Sequence, residues 1–63
     1  MKKDTIVMLQ LTNNNRVLGM YESEDDLQMH FSYAILMKEN FENPFKLGKA
    51  NFLLSEIAKM EEI

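Results

Sequence analysis

The chain contains no cysteine, and for a protein of 63 residues this absence restricts the folds that can be stable. A domain of this size buries only about 60% of the surface that its unfolded chain exposes, so small folds commonly rely on a disulfide, a metal or a partner chain. Disulfides and thiolate metal sites are excluded, and a single histidine leaves only carboxylates as further zinc ligands, which is an uncommon set. The sequence therefore predicts one small domain over residues 1–63, without metal or cofactor, that gains stability from self-association or a protein partner.

The charge pattern argues against nucleic-acid binding and membrane insertion. The net charge is −3, whereas nucleic-acid-binding surfaces normally carry a basic stripe. The longest apolar run, YAILM, has five residues and cannot cross a bilayer, and the N-terminus lacks the longer apolar core of a signal peptide. We therefore predict a cytoplasmic protein without membrane contact. A nucleic-acid-associated regulatory module is an alternative, and its basic groups would be Lys2, Lys3, Arg16, Lys46 and Lys49.

Two runs of β-forming residues flank an asparagine cluster near the N-terminus and predict a β-hairpin. TIVMLQL precedes TNNN and RVLGMYE follows, and asparagine tolerates the positive φ of tight turns. A two-residue turn at Asn13–Asn14 pairs Leu11 with Arg16. One face of the hairpin then carries the core residues Val7, Leu9, Leu11, Leu18 and Met20. The opposite face is also apolar, and we predict it as a possible homodimer face formed by Ile6, Met8, Val17 and Tyr21.

The next segment has the pattern of an α-helix. Ser23 followed by three acidic residues is a close variant of the capping box, and acidic groups at a helix N-terminus interact favourably with its dipole. For the acidic cluster Glu22, Glu24, Asp25 and Asp26, this accounts for three of the four residues more simply than a basic partner does. The apolar spacing predicts a helix over residues 24–40 that ends before Pro44. Its core residues would be Leu27, Phe31, Ala34 and Ile35.

The C-terminal segment, residues 50–62, fits two structures. As a helix it places apolar residues on one face, and as a strand it adds a third strand to the hairpin. In either form Leu54 and Ile57 complete the core. The predicted fold class is therefore α+β, with an N-terminal antiparallel hairpin packed on one long helix and a C-terminal segment that is either a third strand (ββαβ) or a second helix (ββαα).

The sequence predicts no enzymatic activity. His30 lies on the apolar side of the predicted helix, where Asp26 precedes it by four residues. The chain has no cysteine, and no serine lies at a recognisable nucleophile elbow that would complete a catalytic triad. A small hydrolase or metal site built on His30 and Asp26 is the competing interpretation, and a partly buried structural histidine is the one we adopt.

One side of the predicted helix suggests a surface for a protein partner. Met29 and Leu36 lie close together on its otherwise polar side, and methionine is common at surfaces that bind partners. The predicted contact residues are Asp25, Gln28, Met29, Ser32, Leu36 and Glu39. On this prediction, replacing Met29 and Leu36 together with aspartate abolishes partner binding and leaves the fold intact.

The stretch VMLQLTNNNRVLGMYESEDDL resembles the opening of many short reading frames of bacteriophages and mobile elements of low-GC bacteria. The resemblance covers about residues 6–27 and consists of a hairpin followed by a capped helix. It implies a phage-encoded regulator that binds a host protein and inhibits or modulates it. No functional residue is implied, because no family motif is matched. The alternatives are the nucleic-acid-associated module and a structural subunit of a homo-oligomer.

Overall fold

The computed structural model describes residues 1–38 and 43–63. The regular elements of these residues are five β-strands and one short 3₁₀ turn: β1 (Ile6–Leu11), β2 (Arg16–Glu24), β3 (Gln28–Met37), β4 (Phe45–Leu53), the turn Leu54–Glu56, and β5 (Ile57–Glu62). The strands form one antiparallel sheet in the order β4-β3-β2-β1-β5. The described part of the chain is all-β and contains no α-helix. The predicted α+β fold is therefore wrong in both its ββαβ and its ββαα forms.

The segment predicted as the long helix is strand β3. Met29, Phe31 and Ala34 are buried, and the residues between them are not. The step from Phe31 to Ala34 is three residues because the pairing with β4 is irregular there. Such a bulge shifts the alternation of side chains, and its spacing imitates the three-to-four-residue period of a helix. β3 is hydrogen-bonded to β2 on one side and to β4 on the other, and this non-local pairing stabilises the strand.

The acidic segment predicted as a helix N-terminus closes the β2–β3 turn instead. Asp25 Oδ1 accepts hydrogen bonds from the backbone N–H groups of Leu27 and Gln28, both at 2.9 Å. The N–H of Asp25 donates to the carbonyl of Gln28, also at 2.9 Å. A short carboxylate side chain binds nearby N–H groups equally well at a turn or at a helix start. Because no helix follows, the resemblance to phage and mobile-element proteins, which required one, is wrong as well.

The N-terminal segment forms a hairpin of β1 and β2, but its register differs by one residue from the prediction. Leu9 pairs with Val17 and Met8 with Leu18. The last hydrogen-bonded pair of the hairpin is Leu11 and Asn15, since the N–H of Leu11 donates to the carbonyl of Asn15 at 2.8 Å. Three residues, 12–14, therefore form the loop, and Asn14 adopts a φ of 71°. A slip of one residue moves every side chain of a strand to the other face of the sheet.

The core lies on one face of the sheet and differs in part from the predicted core. Its buried members are Val7, Leu9, Leu11, Val17, Tyr21, Met29, Phe31 and Ala34, and Leu36, Ala50, Phe52, Leu54 and Ile57 pack against them. The predicted core residues Leu18, Met20 and Ile35 lie on the opposite face because of the register and the bulge, and Leu27 is exposed in the β2–β3 turn.

The aromatic ring of Phe31 sets the packing at the centre of this core. It meets the ring of Phe52 edge to face, with 5.9 Å between the ring centroids. It also covers Gly19, where a Cβ atom would lie only 2.6 Å from Cδ1 of Phe31. Position 19 therefore requires glycine because the ring occupies the space of a side chain.

The C-terminal segment that was predicted as one helix or one strand contributes to two strands. β4 pairs with β3 at one edge of the sheet, and β5 pairs with β1 at the other edge. The turn Leu54–Glu56 alone connects them, and three residues span little more than about 10–15 Å. The sheet must therefore coil until its two edges approach each other, and this coiling encloses the core. The N–H of Leu54 donates to the carbonyl of Leu27, and that of Thr12 to Glu56, fixing the turn across both ends.

Candidate functional site

The contact surface predicted from the helix is not assembled in the structure. Met29 is only 3% exposed and belongs to the core, and Leu36 packs against the core. Asp25 lies in the β2–β3 turn, Gln28 begins β3, and the Ser32 hydroxyl donates to the carbonyl of Met20 at 3.3 Å. Glu39 lies outside the described residues. The two apolar anchors of the predicted surface therefore point into the protein, while Asp25, Gln28 and Ser32 stay near its surface.

The predicted dimer face is divided between the two sides of the sheet. Val17 and Tyr21 are buried in the core, whereas Ile6 and Met8 alternate with the core residues of β1 and lie on the opposite side. The three-residue loop between β1 and β2 causes this division, because it shifts the register by one residue.

Seven apolar residues from three adjacent strands lie on the side of the sheet that faces away from the core. We call them the outer patch: Ile6 and Met8 of β1, Leu18 and Met20 of β2, and Tyr33, Ile35 and Met37 of β3. The strand pairing places them in rows, with Met20 between Ile6 and Tyr33, and Leu18 between Met8 and Ile35. Six of the seven are partly buried, and the seventh, Tyr33, is 41% exposed. The sequence indicated an apolar second hairpin face, but only the observed register shows which residues form it.

The two ends of the outer patch carry opposite charges. At the end next to the asparagine loop, Lys59, Gln10 and Arg16 lie side by side on three paired strands. Two shallow depressions, each of about 350 Å³, lie here, and Gln10 and Arg16 line both of them. At the other end, Glu22 follows Met20 on β2, and the N–H of Asp4 donates to the carbonyl of Tyr21 at 2.7 Å. On β2 the patch thus has Arg16 at one end and Glu22 at the other, while Glu61 lies beside Met8 on β5 and Lys46 beside Ile35 on β4.

His30 forms a polar cluster with the β2–β3 turn and strand β4. Its Nδ1 lies 2.8 Å from Oδ1 of Asn51, and its Nε2 lies 2.9 Å from Oδ2 of Asp25. The Asp26 partner predicted from helical spacing is therefore replaced by Asp25. Both neighbours are oxygen acceptors, and an imidazole donates from both nitrogens only when it is protonated.

These hydrogen bonds shift the titration of both groups. The pKa of His30 is raised above its ordinary value, mainly by the hydrogen bond to Asp25 and then by that to Asn51. The pKa of Asp25 is lowered to about 2, mainly by the hydrogen bond from His30 and then by the N–H groups of Leu27 and Gln28. In the described residues no group of three or more histidine, cysteine, aspartate or glutamate side chains is placed to hold a metal. We interpret the cluster as a structural clamp between β3, β4 and the turn.

We expect the stability of the protein to fall as the pH rises through the raised pKa of His30. The His30 contribution is complete below the unfolded-state pKa near 6.5 and disappears above the folded-state pKa. The Asp25 contribution has the opposite direction, since it is present above the ordinary carboxyl pKa of 3.8 and disappears as the pH falls towards 2. Urea unfolding of the wild type and of His30→Gln, each at about pH 5.5 and about pH 8.5, measures the first effect. The free energy of unfolding should be higher for the wild type than for His30→Gln, and this difference should be larger at about pH 5.5 than at about pH 8.5. A difference independent of pH would contradict the clamp.

Comparison with known proteins provides no relative from which a function could be inferred. The sequence matches no known protein family and no curated protein. In the part of the chain that the structure describes, no helix has the length and apolar character needed to span a membrane.

Proposed function

We propose that the protein is a non-catalytic protein-binding module of the cytoplasm, which regulates a partner protein by docking it on the outer patch. The observation that carries this proposal is the continuous apolar surface that seven residues, six of them partly buried and Tyr33 exposed, form on one face of a small sheet. Contiguous exposed apolar patches with a polar rim are typical of protein interaction sites. The charged groups at the two ends of the patch supply that rim.

The shape and charge of the outer patch favour a protein over other ligands. The depressions beside it are shallow, whereas small-molecule sites are concave and enclose most of the ligand. A nucleic acid would meet basic groups at one end and carboxylates at the other, without a continuous basic stripe. An apolar centre with a charged rim is the composition of a protein interface.

The proposal is tested with two matched variants. Tyr33 lies in the outer patch, and Leu53 lies on β4 away from it, and both are 41% exposed. Tyr33→Glu places a carboxylate in the interface and should weaken partner affinity about tenfold or more. Leu53→Glu introduces the same charge at the same exposure and should leave affinity unchanged. Affinity capture from cell extract with the wild type and both variants, followed by mass spectrometry and binding titration of the recovered protein, makes the comparison.

Two results would count against the outer patch as the binding surface. One is recovery of the same proteins with the same affinity by all three chains. The other is loss of the partner with Leu53→Glu but not with Tyr33→Glu. Circular dichroism and urea unfolding of both variants establish that the fold is retained, because both substitutions are made at positions with substantial exposure.

A further inference from the structure

Three cations border the part of the outer patch that β3 contributes. We call them the basic side: Arg16 pairs with Met37, Lys46 pairs with Ile35, and Lys49 lies opposite the bulge that contains Tyr33. All three are exposed, and Lys49 points away from the core because its neighbour Ala50 packs against the core. Each β3 residue of the patch thus has a cation beside it on an adjacent strand.

The basic side is not neutralised by carboxylates of this chain. Among the residues that the structure describes, none of its three cations forms an ion pair. The carboxylates of the same face lie on other borders of the patch, with Glu61 on β5 and Glu22 at the far end of β2. Lys59 lies two residues from Glu61 on the same strand, and His30 pairs with Asp25. The three cations beside β3 are therefore available to a ligand of opposite charge.

The Arg16 end of the basic side contains a concave feature. One of the two depressions, of about 350 Å³, is lined by Gln10, Asn14, Arg16, Met37 and Lys38. These residues supply two cations, two amides and a thioether, and no described residue of the lining carries a carboxylate. Guanidinium, ammonium and amide N–H groups are all donors to a carboxylate. The depression therefore suits the carboxylate side chain of a docked segment.

We propose that the partner docks on the outer patch through a short acidic segment, in which apolar side chains cover Leu18, Ile35 and Tyr33 while aspartate or glutamate side chains meet the basic side. This inference rests on the proposed function, because it names the chemistry of the segment that occupies the same patch. Carboxylates form charge-assisted hydrogen bonds with lysine and arginine, and arginine binds both carboxylate oxygens at once. A basic segment would be repelled at the same border, so the charges select among apolar partners.

The carboxylates on the other borders favour a peptide over a nucleic acid. A nucleic acid carries a negative charge at every phosphate, so a strand that crosses the patch meets Glu22 or Glu61 as well as the basic side. A peptide segment places apolar or cationic residues opposite these two carboxylates and keeps its acidic residues for the basic side. The mixed border is thus matched by a chain of mixed charge.

The size of the patch favours a short segment over the surface of a folded domain. Three strands at about 4.8 Å spacing, and the rows from Tyr33 to Met37 at about 3.3 Å per residue, give a patch of roughly 10 by 13 Å. A standard interface between folded proteins is several times larger and buries roughly 800 Å² on each partner. An extended segment of about four or five residues spans the patch. So small a contact is weak, and we expect a dissociation constant on the order of 100 μM.

The test is selection of displayed random peptides on the immobilised full chain, followed by titration of the enriched peptides by fluorescence anisotropy. Peptides enriched by the wild type should combine apolar residues with aspartate or glutamate. The variant Lys46→Glu/Lys49→Glu should bind these peptides about tenfold or more weakly, because it replaces two attractive charges with two repulsive ones. Tyr33→Ala, which changes no charge, should also weaken binding, by about threefold or more.

The matched control is Lys2→Glu/Lys3→Glu, which makes the same change in net charge at exposed residues ahead of β1. Charges in water act over about 8–10 Å at moderate salt, so this variant should lose less than about threefold in affinity. All four lysines are exposed, and circular dichroism should show that both double variants keep the fold.

Several outcomes would overturn the inference, and they are separable from failure of the proposed function. Enrichment of no peptide, enrichment without an excess of acidic residues, or equal losses in the two double variants would exclude the acidic segment. Docking on the patch would still stand in each case if Tyr33→Glu abolished capture of a partner protein. Tighter binding of a labelled oligothymidine than of any peptide, lost in Lys46→Glu/Lys49→Glu, would assign the basic side to a nucleic acid. If Tyr33→Ala and Tyr33→Glu change neither peptide binding nor capture, the outer patch is not a binding surface and both proposals fail.

Discussion

Phe31→Ala is expected to remove about 3–5 kcal/mol from the free energy of unfolding, which is the usual cost of deleting a fully buried aromatic side chain. Phe31 is 0% exposed, and its ring contacts that of Phe52. The ring also covers Gly19, so its loss leaves a cavity that the neighbouring backbone cannot fill. A domain of this size has a total stability of roughly 3–9 kcal/mol. The substitution should therefore remove about a third of the stability or more, and all of it at the lower end of this range.

Urea unfolding followed by circular dichroism measures this loss, and Tyr33→Ala is the matched control. Tyr33 is an aromatic residue two positions along the same strand, but it lies on the outer face and is 41% exposed. Its replacement should cost less than about 1 kcal/mol in the monomer. Equal losses for the two variants would mean that β3 does not present Phe31 and Tyr33 to opposite sides.

Met29→Asp is expected to unfold the protein, and Leu27→Asp is expected to be tolerated. Met29 is 3% exposed in the core, and an unpaired carboxylate in such a place costs several kcal/mol. Leu27 is 71% exposed in the β2–β3 turn, where a carboxylate stays hydrated. The helix predicted from the sequence requires the reverse, with Leu27 in the core and Met29 on the surface. The two variants therefore distinguish the sheet from the helix in one experiment.

Thermal and urea unfolding of both variants, compared with the wild type, decides between these expectations. A stable Met29→Asp together with an unfolded Leu27→Asp would refute the orientation of β3. The result also bears on the interface predicted from the sequence. A Met29→Asp/Leu36→Asp chain should lose partner binding because it loses its fold, so that variant cannot locate a binding surface.

The turns were the part of the fold most accessible from the sequence. The asparagine cluster indicated a hairpin because asparagine tolerates a positive φ, and Asn14 adopts one. The acidic segment predicted a helix N-terminus capped by Ser23, whereas in the structure Asp25 accepts the backbone hydrogen bonds that close a turn. Neither signal specified the loop length or the element that follows. Because the loop between β1 and β2 has three residues and not two, Val17 lies in the core and Leu18 on the opposite face. A turn stands where the helix was expected to begin.

The outer patch was only partly predictable. The hairpin was expected to be apolar on both faces, and Ile6 and Met8 were placed on its second face. Leu18, Met20 and Ile35 were instead expected in the core. They lie on the outer face because the loop between β1 and β2 has an odd number of residues and because a bulge interrupts β3 after Phe31. Both are features of backbone geometry that hydrophobic spacing does not reveal.

The sequence by itself determined a small chain without cysteine, with a turn at the asparagine cluster and more apolar residues than one core face can bury. These properties depend on residues close together in the chain. Only the tertiary structure decided that residues 28–37 are a strand and that residues 45–62 supply both edges of the sheet. It also decided that Val17, not Leu18, is inside. Each of these outcomes depends on hydrogen bonds between segments that are distant in sequence. The spacing of apolar residues within one segment does not show which strand will pair with it.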